Sequence, residues 1–180
     1  MEGNSVRDSY SQFRGGNGAE NWALDEGHAA SGQQSLRGRI DAGDSWASNA
    51  EWNLAAEGYA ANVDEIHHRV QFRLDEGFAM ESDQNCRIFN TALADGSANS
   101  GGGGTPSGED GWSERLYVTE SGTRGDGTWN LLSYTYHMDQ GGQYGDQSVL
   151  KDVGLTAGEW HQIDTYVRVN SYSGGSASSD

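Results

Sequence analysis

Two stretches of the sequence decide the predicted fold, and they read Gly111-Trp112-Ser113-Glu114-Arg115-Leu116-Tyr117-Val118 and Leu131-Leu132-Ser133-Tyr134-Thr135-Tyr136-His137-Met138. Both alternate like β-strands, in which side chains two positions apart share a face. Ser113, Arg115 and Tyr117 share one face of the first strand, and Tyr134 and Tyr136 share one face of the second. If the strands are neighbours in one sheet, these side chains meet on one surface. The set is unusual for a core, and it fits a site that handles an acidic sugar.

Shorter alternating runs on either side of these stretches predict further strands. They are Gln34–Ile40, Ala50–Leu54, Ile66–Leu74, Arg87–Phe89 and Trp160–Asn170. Ile66–Leu74 alternates most clearly, with apolar residues on one face and a polar row on the other. That polar row consists of His67, Arg69, Gln71 and Arg73. Gly, Asn, Asp and Ser separate the runs, and no long helical periodicity interrupts them, so the pattern predicts an all-β fold, an antiparallel sandwich.

The 180 residues fit one domain, predicted over residues 1–170, with a flexible Ser/Gly-rich tail at 171–180. Between Ala94 and Asp110 the chain is rich in Gly, Ser, Asn and Asp, and four consecutive glycines lie at its centre. We expect nothing in this stretch to pack, and therefore a mobile loop. A second glycine-rich loop is predicted at 141–146, directly after the tyrosine strand.

The composition is strongly acidic: Asp and Glu number 27 against 11 Lys and Arg, which gives a formal charge of -16. Lys151 is the only lysine. An acidic surface that avoids lysine is typical of a protein from a high-salt environment, where salt screens the self-repulsion. The sequence contains no basic run that would neutralise phosphates, which argues against nucleic acid as a partner.

Neither a membrane span nor a secretion signal is visible in the sequence. No stretch is long and apolar enough to cross a bilayer, so we expect no membrane insertion. Residues 1–11 lack a basic region followed by an apolar run, which a signal peptide would show. The single cysteine, Cys86, excludes an internal disulfide.

From spacing alone, two interpretations of the face with Ser113, Arg115, Tyr134 and Tyr136 stay open. Tyrosine is a common strand residue and arginine on a sheet face is often simply solvated, so the set can be structural. The alternative is a binding or catalytic site.

The order of the segments resembles the alginate and glucuronan lyase families of polysaccharide lyases, over roughly residues 30–170. Four short motifs carry the resemblance. They are the strand Ile66–Leu74, Gly-Trp-Ser-x-Arg at 111–115, Tyr-x-Tyr at 134–136, and Gly-x-Trp-His at 158–161 followed by Val169-Asn170. The resemblance implies a concanavalin A-like β-jelly roll of two antiparallel sheets and an acidic polysaccharide as partner.

Carried over residue by residue, the family's functional serine and arginine correspond to Ser113 and Arg115, and its tyrosine pair to Tyr134 and Tyr136. The family's Gly-Lys-Leu-Pro-Gly segment corresponds to residues 86–90, which read Cys-Arg-Ile-Phe-Asn. The functional lysine is therefore arginine here, Arg87, and the flanking glycines and proline are absent. Arginine keeps the charge and grips carboxylates, but it is effectively never deprotonated.

The chemistry that the resemblance implies is β-elimination on a uronate. Arg87 or Arg115 would neutralise the carboxylate, so that a base can remove the neighbouring proton. Tyr134 or Tyr136 would act as base, acid or both, with a pKa lowered by the nearby guanidinium groups. No cofactor or metal is implied. The polar row of Ile66–Leu74 would hold neighbouring uronates if it lines the cleft; otherwise it is a solvated outer face.

Two alternatives to a lyase follow from the positions at which this sequence differs from the lyase family pattern. The loss of the lysine favours a non-catalytic glycan-binding module of a secreted protein, a cell-surface appendage or a virion, in a high-salt setting. The family's jelly roll continues for several strands beyond its Trp-His strand, whereas this chain ends in a Ser/Gly tail. We expect either a truncated piece of a longer protein or a sandwich with fewer strands. An open sheet edge would then favour self-assembly or association with a larger particle.

Overall fold

The structure is a computed structural model that describes residues 5, 10, 12–14, 18–41, 43, 49–59, 63–81, 84–93, 99–119, 128–174 and 176–178. Every strand pair in it is antiparallel, and the described residues contain no α-helix. The predicted all-β, antiparallel fold class is therefore confirmed. Contacts group the chain into two compact units, Met1–Val63 and Asp64–Asp180.

The described residues of the first unit form two short antiparallel strand pairs. Strand β1 (Gln12–Arg14) pairs with β4 (Asn49–Glu51), and β2 (Trp22–Asp25) pairs with β3 (Ser35–Gly38). A short 3-10 helix, Gly18–Asn21, precedes β2. The predicted strand at Gln34–Ile40 coincides with β3.

The second unit holds the longer strands, arranged in two main sheets. The first main sheet has the order β6-β7-β8-β9, and the second pairs β5 with β10. Their bounds are β5 Glu65–Arg73, β6 Asn85–Ala92, β7 Ser113–Thr119, β8 Thr128–Tyr136, β9 Asp146–Thr156 and β10 Trp160–Arg168. Within the predicted tail, β11 (Tyr172–Ser173) and β12 (Ser176–Ala177) form a short antiparallel pair.

A buried core joins the two main sheets. The four-stranded sheet contributes Leu116, Val118, Leu131 and Leu155, the β5–β10 pair contributes Ile163, and Leu74 follows β5 directly. Partly buried side chains such as Val70 and Phe72 complete the cluster. Two antiparallel sheets that bury apolar faces against each other are compatible with a β-sandwich. Because strand side chains alternate, the opposite face of each sheet points away from this core.

Strand β9 was not predicted, and it forms one border of the four-stranded sheet. On its outer side it pairs with none of the described strands. The pairing register with β8 jumps from Gly154 to Leu150, so the three residues between them bulge out of the ladder. Lys151, the sole lysine of the chain, lies in this bulge. Bulges and lysines on an edge strand disfavour pairing with another chain.

Among the described residues, no helix has the length and apolar character needed to cross a membrane.

Candidate functional site

Strands β7 and β8 bring the predicted serine, arginine and tyrosines together. Their antiparallel register sets Ser113 opposite Tyr136 and Arg115 opposite Tyr134. All four side chains therefore project from the same face of the sheet, the one that points away from the Leu116–Val118 core. The antiparallel register thus brings side chains from two separate stretches of the sequence onto one surface.

The guanidinium of Arg115 lies over both tyrosine rings. Its Cζ is 4.8 Å from the ring centroid of Tyr136 and 5.7 Å from that of Tyr134. The two tyrosine hydroxyls are hydrogen-bonded to each other at 2.9 Å. Cations within about 6 Å of a ring centroid are attracted to the electron-rich face of the ring. The arrangement fixes the guanidinium and keeps both phenol groups next to it.

The face continues beyond these residues toward strand β6. Arg87 lies opposite Tyr117 in the register of β6 and β7, and Asn90 lies opposite Arg115. Arg87 is exposed, and the Tyr117 ring packs at 6.1 Å from that of Tyr134. Hereafter the surface formed by Arg87, Ser113, Arg115, Tyr117, Tyr134 and Tyr136 is called the arginine–tyrosine face.

One end of the arginine–tyrosine face is buried and the other is open. Ser113 is 1% exposed and Tyr136 2% exposed, whereas Tyr134 and Tyr117 are half-buried and Arg87 is exposed. The face is therefore open at its β6 side, where Arg87 lies, and half-buried at Tyr117 and Tyr134, while Leu132, opposite Tyr117, is 3% exposed. The Ser113–Tyr136 end lies beneath other parts of the chain.

Residues of the first glycine-rich loop cover the buried end. Arg115 donates from Nε to the Ser113 hydroxyl at 3.1 Å and from Nη2 to the Ser100 carbonyl. Ser113 also donates its hydroxyl to the Ser100 carbonyl, at 2.7 Å. The next residue, Gly101, lies so close that a Cβ there would collide with Nη2 of Arg115. Pro106, further along the same loop, is buried.

The expectation that nothing in Ala94–Asp110 can pack is thus wrong for its described part, residues 99–110. Glycine lets this backbone approach the sheet closely, because no side chain keeps it away. Residues 94–98 lie outside the described residues.

The second glycine-rich loop flanks the same end. A Cβ at Gly145 would lie 2.9 Å from the ring of Tyr134, so the backbone runs directly beside that tyrosine. Gln140, 7% exposed, donates to the carbonyls of Gly104 at 3.2 Å and Gly142 at 2.7 Å, and thereby ties the two loops together.

Burial raises the pKa of Tyr134 to about 12, with its hydrogen bond to Tyr136 as the next cause, and these outweigh the lowering by Arg115. The expectation that nearby guanidinium groups lower the pKa of the reacting tyrosine is therefore wrong for Tyr134. The neutral phenol is the form that persists near neutral pH, and it can donate a proton but cannot accept one.

A pH-dependent loss of stability follows from this raised pKa. The folded state keeps the Tyr134 proton in a range where the unfolded chain, with the ordinary value of 10.0, has lost it. We expect the free energy of unfolding to fall as pH rises from about 10 to about 12, and this contribution to be fully present below about 10. Denaturant unfolding of wild type and Tyr134→Phe across pH 9 to 12 measures it, with Tyr144→Phe, whose side chain is exposed, as control. An equal pH slope in wild type and Tyr134→Phe would contradict the expectation.

The polar row predicted as a substrate contact lies on the other main sheet. His67, Arg69, Gln71 and Arg73 project from the outer face of β5, whereas Val70 and Phe72 of the same strand pack into the core. Across that core lies the four-stranded sheet, and the arginine–tyrosine face is on its far side. The row and the arginine–tyrosine face therefore do not line one cleft.

Residues of β10 contact His67, Arg69 and Gln71, and the carbonyl of Gly158, just before β10, contacts Arg73. Arg69 forms an ion pair with Asp164 at 2.5 Å, and Gln71 donates to Gln162 at 3.0 Å. His67 stacks on Tyr166, and Arg73 donates to the Gly158 carbonyl at 3.0 Å. The row is a solvated outer face at His67, Arg69 and Gln71, whereas the Arg73 side chain is only 12% exposed.

Sequence reasoning missed Ser100, Gly101 and Gln140. Their roles depend on backbone carbonyls and on close approach, for which a single sequence carries no signal beyond the glycine run itself. Within the described residues, no three His, Cys, Asp or Glu side chains are grouped so that they could hold a metal ion.

The sequence matches no protein-family model, and neither the curated proteins nor the solved structures contain a match to it.

Proposed function

We propose that this chain is a glycan-recognition domain of the polysaccharide-lyase-like type, which binds an acidic, uronate-containing glycan on the arginine–tyrosine face. The observation that carries the proposal is the guanidinium of Arg115 held over the rings of Tyr134 and Tyr136. A uronate presents a carboxylate, which arginine binds by charge-assisted hydrogen bonds, and a ring whose C–H surface packs on aromatic side chains.

The position of Arg87 also supports binding of a uronate-containing glycan. It is exposed, it lies on the same face, and its Cα is paired with that of Tyr117 next to Arg115 in the sheet. Two guanidinium groups on one face stand out in a chain with a formal charge of -16. A polyuronate repeats its carboxylates along the chain, so two separated arginines match successive sugars. Salt would screen the repulsion between such a polymer and the rest of the acidic surface.

In this proposal the two main sheets are the frame of a concanavalin A-like jelly roll, in a protein that works outside the cell or at a surface in a high-salt environment. The domain would belong to a secreted protein, a cell-surface appendage or a virion.

Turnover by β-elimination is the second candidate, and the tyrosine hydroxyl pair at 2.9 Å beside Arg115 favours it. In that reaction a base takes the proton alpha to the carboxylate, the bond from the beta carbon to the glycosidic oxygen breaks, and a carbon–carbon double bond forms. The leaving oxygen takes a proton from a tyrosine. Tyr134, with a pKa raised to about 12, suits the acid.

Glycan binding and β-elimination differ in one requirement, because only β-elimination needs a base that removes a proton from the sugar. Arg87 stands where the resemblance implies a lysine, and its guanidinium does not accept protons near neutral pH. Tyr136 is the remaining tyrosine of the pair, and it is 2% exposed. The face is therefore better suited to holding a uronate than to deprotonating it, so binding ranks first.

A panel of polyuronates, tested in molar salt, distinguishes the candidates. We expect at least one polyuronate to bind in calorimetry, and a neutral polysaccharide of similar length not to bind. Ultraviolet absorbance of the unsaturated product then reports turnover. Binding without an absorbance rise supports a recognition module; a rise that Tyr136→Phe abolishes supports the lyase. Absence of binding to every polyuronate would overturn both.

A further inference from the structure

We propose that the loop Ser100–Thr105 is a lid whose Ser100 carbonyl occupies the carboxylate-binding position of Arg115, so that a glycan binds only when this lid opens. The inference rests on the proposed function, because it concerns access to the arginine–tyrosine face. It is carried by hydrogen bonds and close contacts in the described part of that loop.

The Ser100 carbonyl uses the donors that an incoming carboxylate would need. It accepts from Nη2 of Arg115 and from the hydroxyl of Ser113. A carboxylate oxygen placed at the same point would accept from both groups. The loop therefore competes with a uronate, and it does so with a neutral acceptor, which binds a guanidinium less strongly than an ionised one does.

Few interactions hold the lid closed against the second glycine-rich loop. Gln140 donates to the carbonyls of Gly104 and Gly142, and its own Oε1 accepts from the His137 backbone N–H at 3.2 Å. Thr105 donates its hydroxyl to Gly142 at 3.3 Å. Gln140 is thus the main latch, because it joins both loops through one buried side chain.

The backbone of the lid is a short glycine-containing segment between two hydrogen-bonded ends. Gly102 and Gly103 have φ of 69° and 90°, a region that glycine enters without strain. On either side of the lid, Asn99 donates to Asp110 at 2.5 Å, and Asp110 also accepts from the Ser107 backbone N–H at 2.7 Å. These bonds anchor the base of the loop, so that opening is confined to the residues between the anchors.

Two substitutions open the lid by different means, and each has a matched control. Gln140→Ala removes the latch, and its control is Gln84→Ala, an exposed glutamine outside both glycine-rich loops. Gln143 is unsuitable as the control because its side chain lies against Gly103 of the lid. Gly101→Ala places a Cβ against Nη2 of Arg115, and its control is Gly141→Ala, where an added Cβ meets nothing within 4 Å. Neither Gly101 nor Gly141 has a positive φ, so alanine fits both backbones.

The first measurement needs no glycan. Phenylglyoxal modifies accessible guanidinium groups. The folded full chain is modified first and then digested, and mass spectrometry of the peptides locates the modified arginine. We expect Arg115 to react about threefold to tenfold faster in Gln140→Ala than in wild type, as losing one or two hydrogen bonds implies, with Gly101→Ala in the same direction. Rates at Arg115 equal to wild type in both variants would overturn the lid.

The second measurement is the affinity for a polyuronate that wild type binds. If the lid competes with the ligand, Gln140→Ala binds about threefold to tenfold more tightly, and both controls match wild type. Faster modification of Arg115 with unchanged or weaker affinity in both lid variants would overturn the competition.

The lid and the proposed function fail in distinguishable ways. If Arg115 becomes reactive as expected while no variant binds any polyuronate, the lid stands and the proposed ligand is wrong. If wild type binds a polyuronate and its Arg115 already reacts with phenylglyoxal as fast as in the lid variants, the proposed ligand is supported and the lid proposal is wrong.

Discussion

Arg115→Ala is expected to weaken polyuronate binding by about a hundredfold. Hydrogen bonds to charged groups contribute about 1.5–3 kcal/mol each, and every 1.4 kcal/mol is about tenfold in affinity. Arg115 lies at the centre of the face, over two tyrosine rings and hydrogen-bonded to Ser113. Its removal takes away the carboxylate contact and the group that orders the pair of phenols.

Arg69→Ala is the matched control for this loss. Arg69 has a side chain 65% exposed, is paired with Asp164, and lies on the outer face of the other main sheet. We expect affinity within about twofold of wild type, since exposed ion pairs contribute little. A large loss in Arg69→Ala with none in Arg115→Ala would reverse the assignment and move the site to the polar row of β5. Calorimetric titration of both variants in the same salt decides between the two faces.

Arg115→Lys distinguishes the contribution of the positive charge from that of the planar guanidinium to carboxylate binding. Lysine keeps the positive charge but lacks the planar fork that binds a carboxylate through two parallel hydrogen bonds. We expect an affinity between those of wild type and Arg115→Ala. Circular dichroism of all the variants checks that the four-stranded sheet is retained, so that a loss of affinity reports the site.

Leu155→Ala is expected to lower the free energy of unfolding by about 2–5 kcal/mol, the range for removing a fully buried leucine from a core. Leu155 is 2% exposed and belongs to the cluster that joins the two main sheets. It lies near the end of β9, after the bulge has shifted the register of the strand. The substitution leaves a cavity there, because the surrounding sheet can only partly collapse into it.

Leu150→Ala is the control, because it truncates the same type of side chain on the same strand at a more exposed position. Leu150 is 38% exposed, so less apolar surface is lost and no enclosed cavity forms. We expect a decrease of about 1 kcal/mol or less, since surface substitutions have small effects. Denaturant titrations of the two variants measure the difference. Equal losses would show that the buried Leu155 contributes no more to stability than the partly exposed Leu150, and would contradict the expectation.

The sequence alone determined the strands whose alternation is regular. Ile66–Leu74, the Gly-Trp-Ser-Glu-Arg stretch and the tyrosine stretch became β5, β7 and β8, because their side chains alternate between apolar and polar. Alternation also assigned Arg115, Tyr134 and Tyr136 to the faces where the structure has them. A period of two is a local property of the backbone, so a single sequence carries it.

Tertiary structure alone decided the existence of β9 and the covering of the site. Asp146–Thr156 contains Lys151, Asp152 and Gly154 and lacks regular alternation, and its pairing with β8 is what makes it a strand. The placement of the Ser100 carbonyl on Arg115 is likewise long-range, and backbone carbonyls are the same in every residue. No residue type marks such a contact.

The pKa of Tyr134 shows the same division between local pattern and long-range packing. Sequence placed arginine beside tyrosine, which by itself lowers a phenol pKa. Packing buried the phenol and bonded it to Tyr136, and these effects raise the pKa to about 12. Burial depends on what folds over a residue, and here the backbone at Gly145 packs against the Tyr134 ring. The sequence therefore determined that a titratable tyrosine lies beside an arginine. Whether the protonated or the ionised form of that tyrosine is favoured was decided only by the fold.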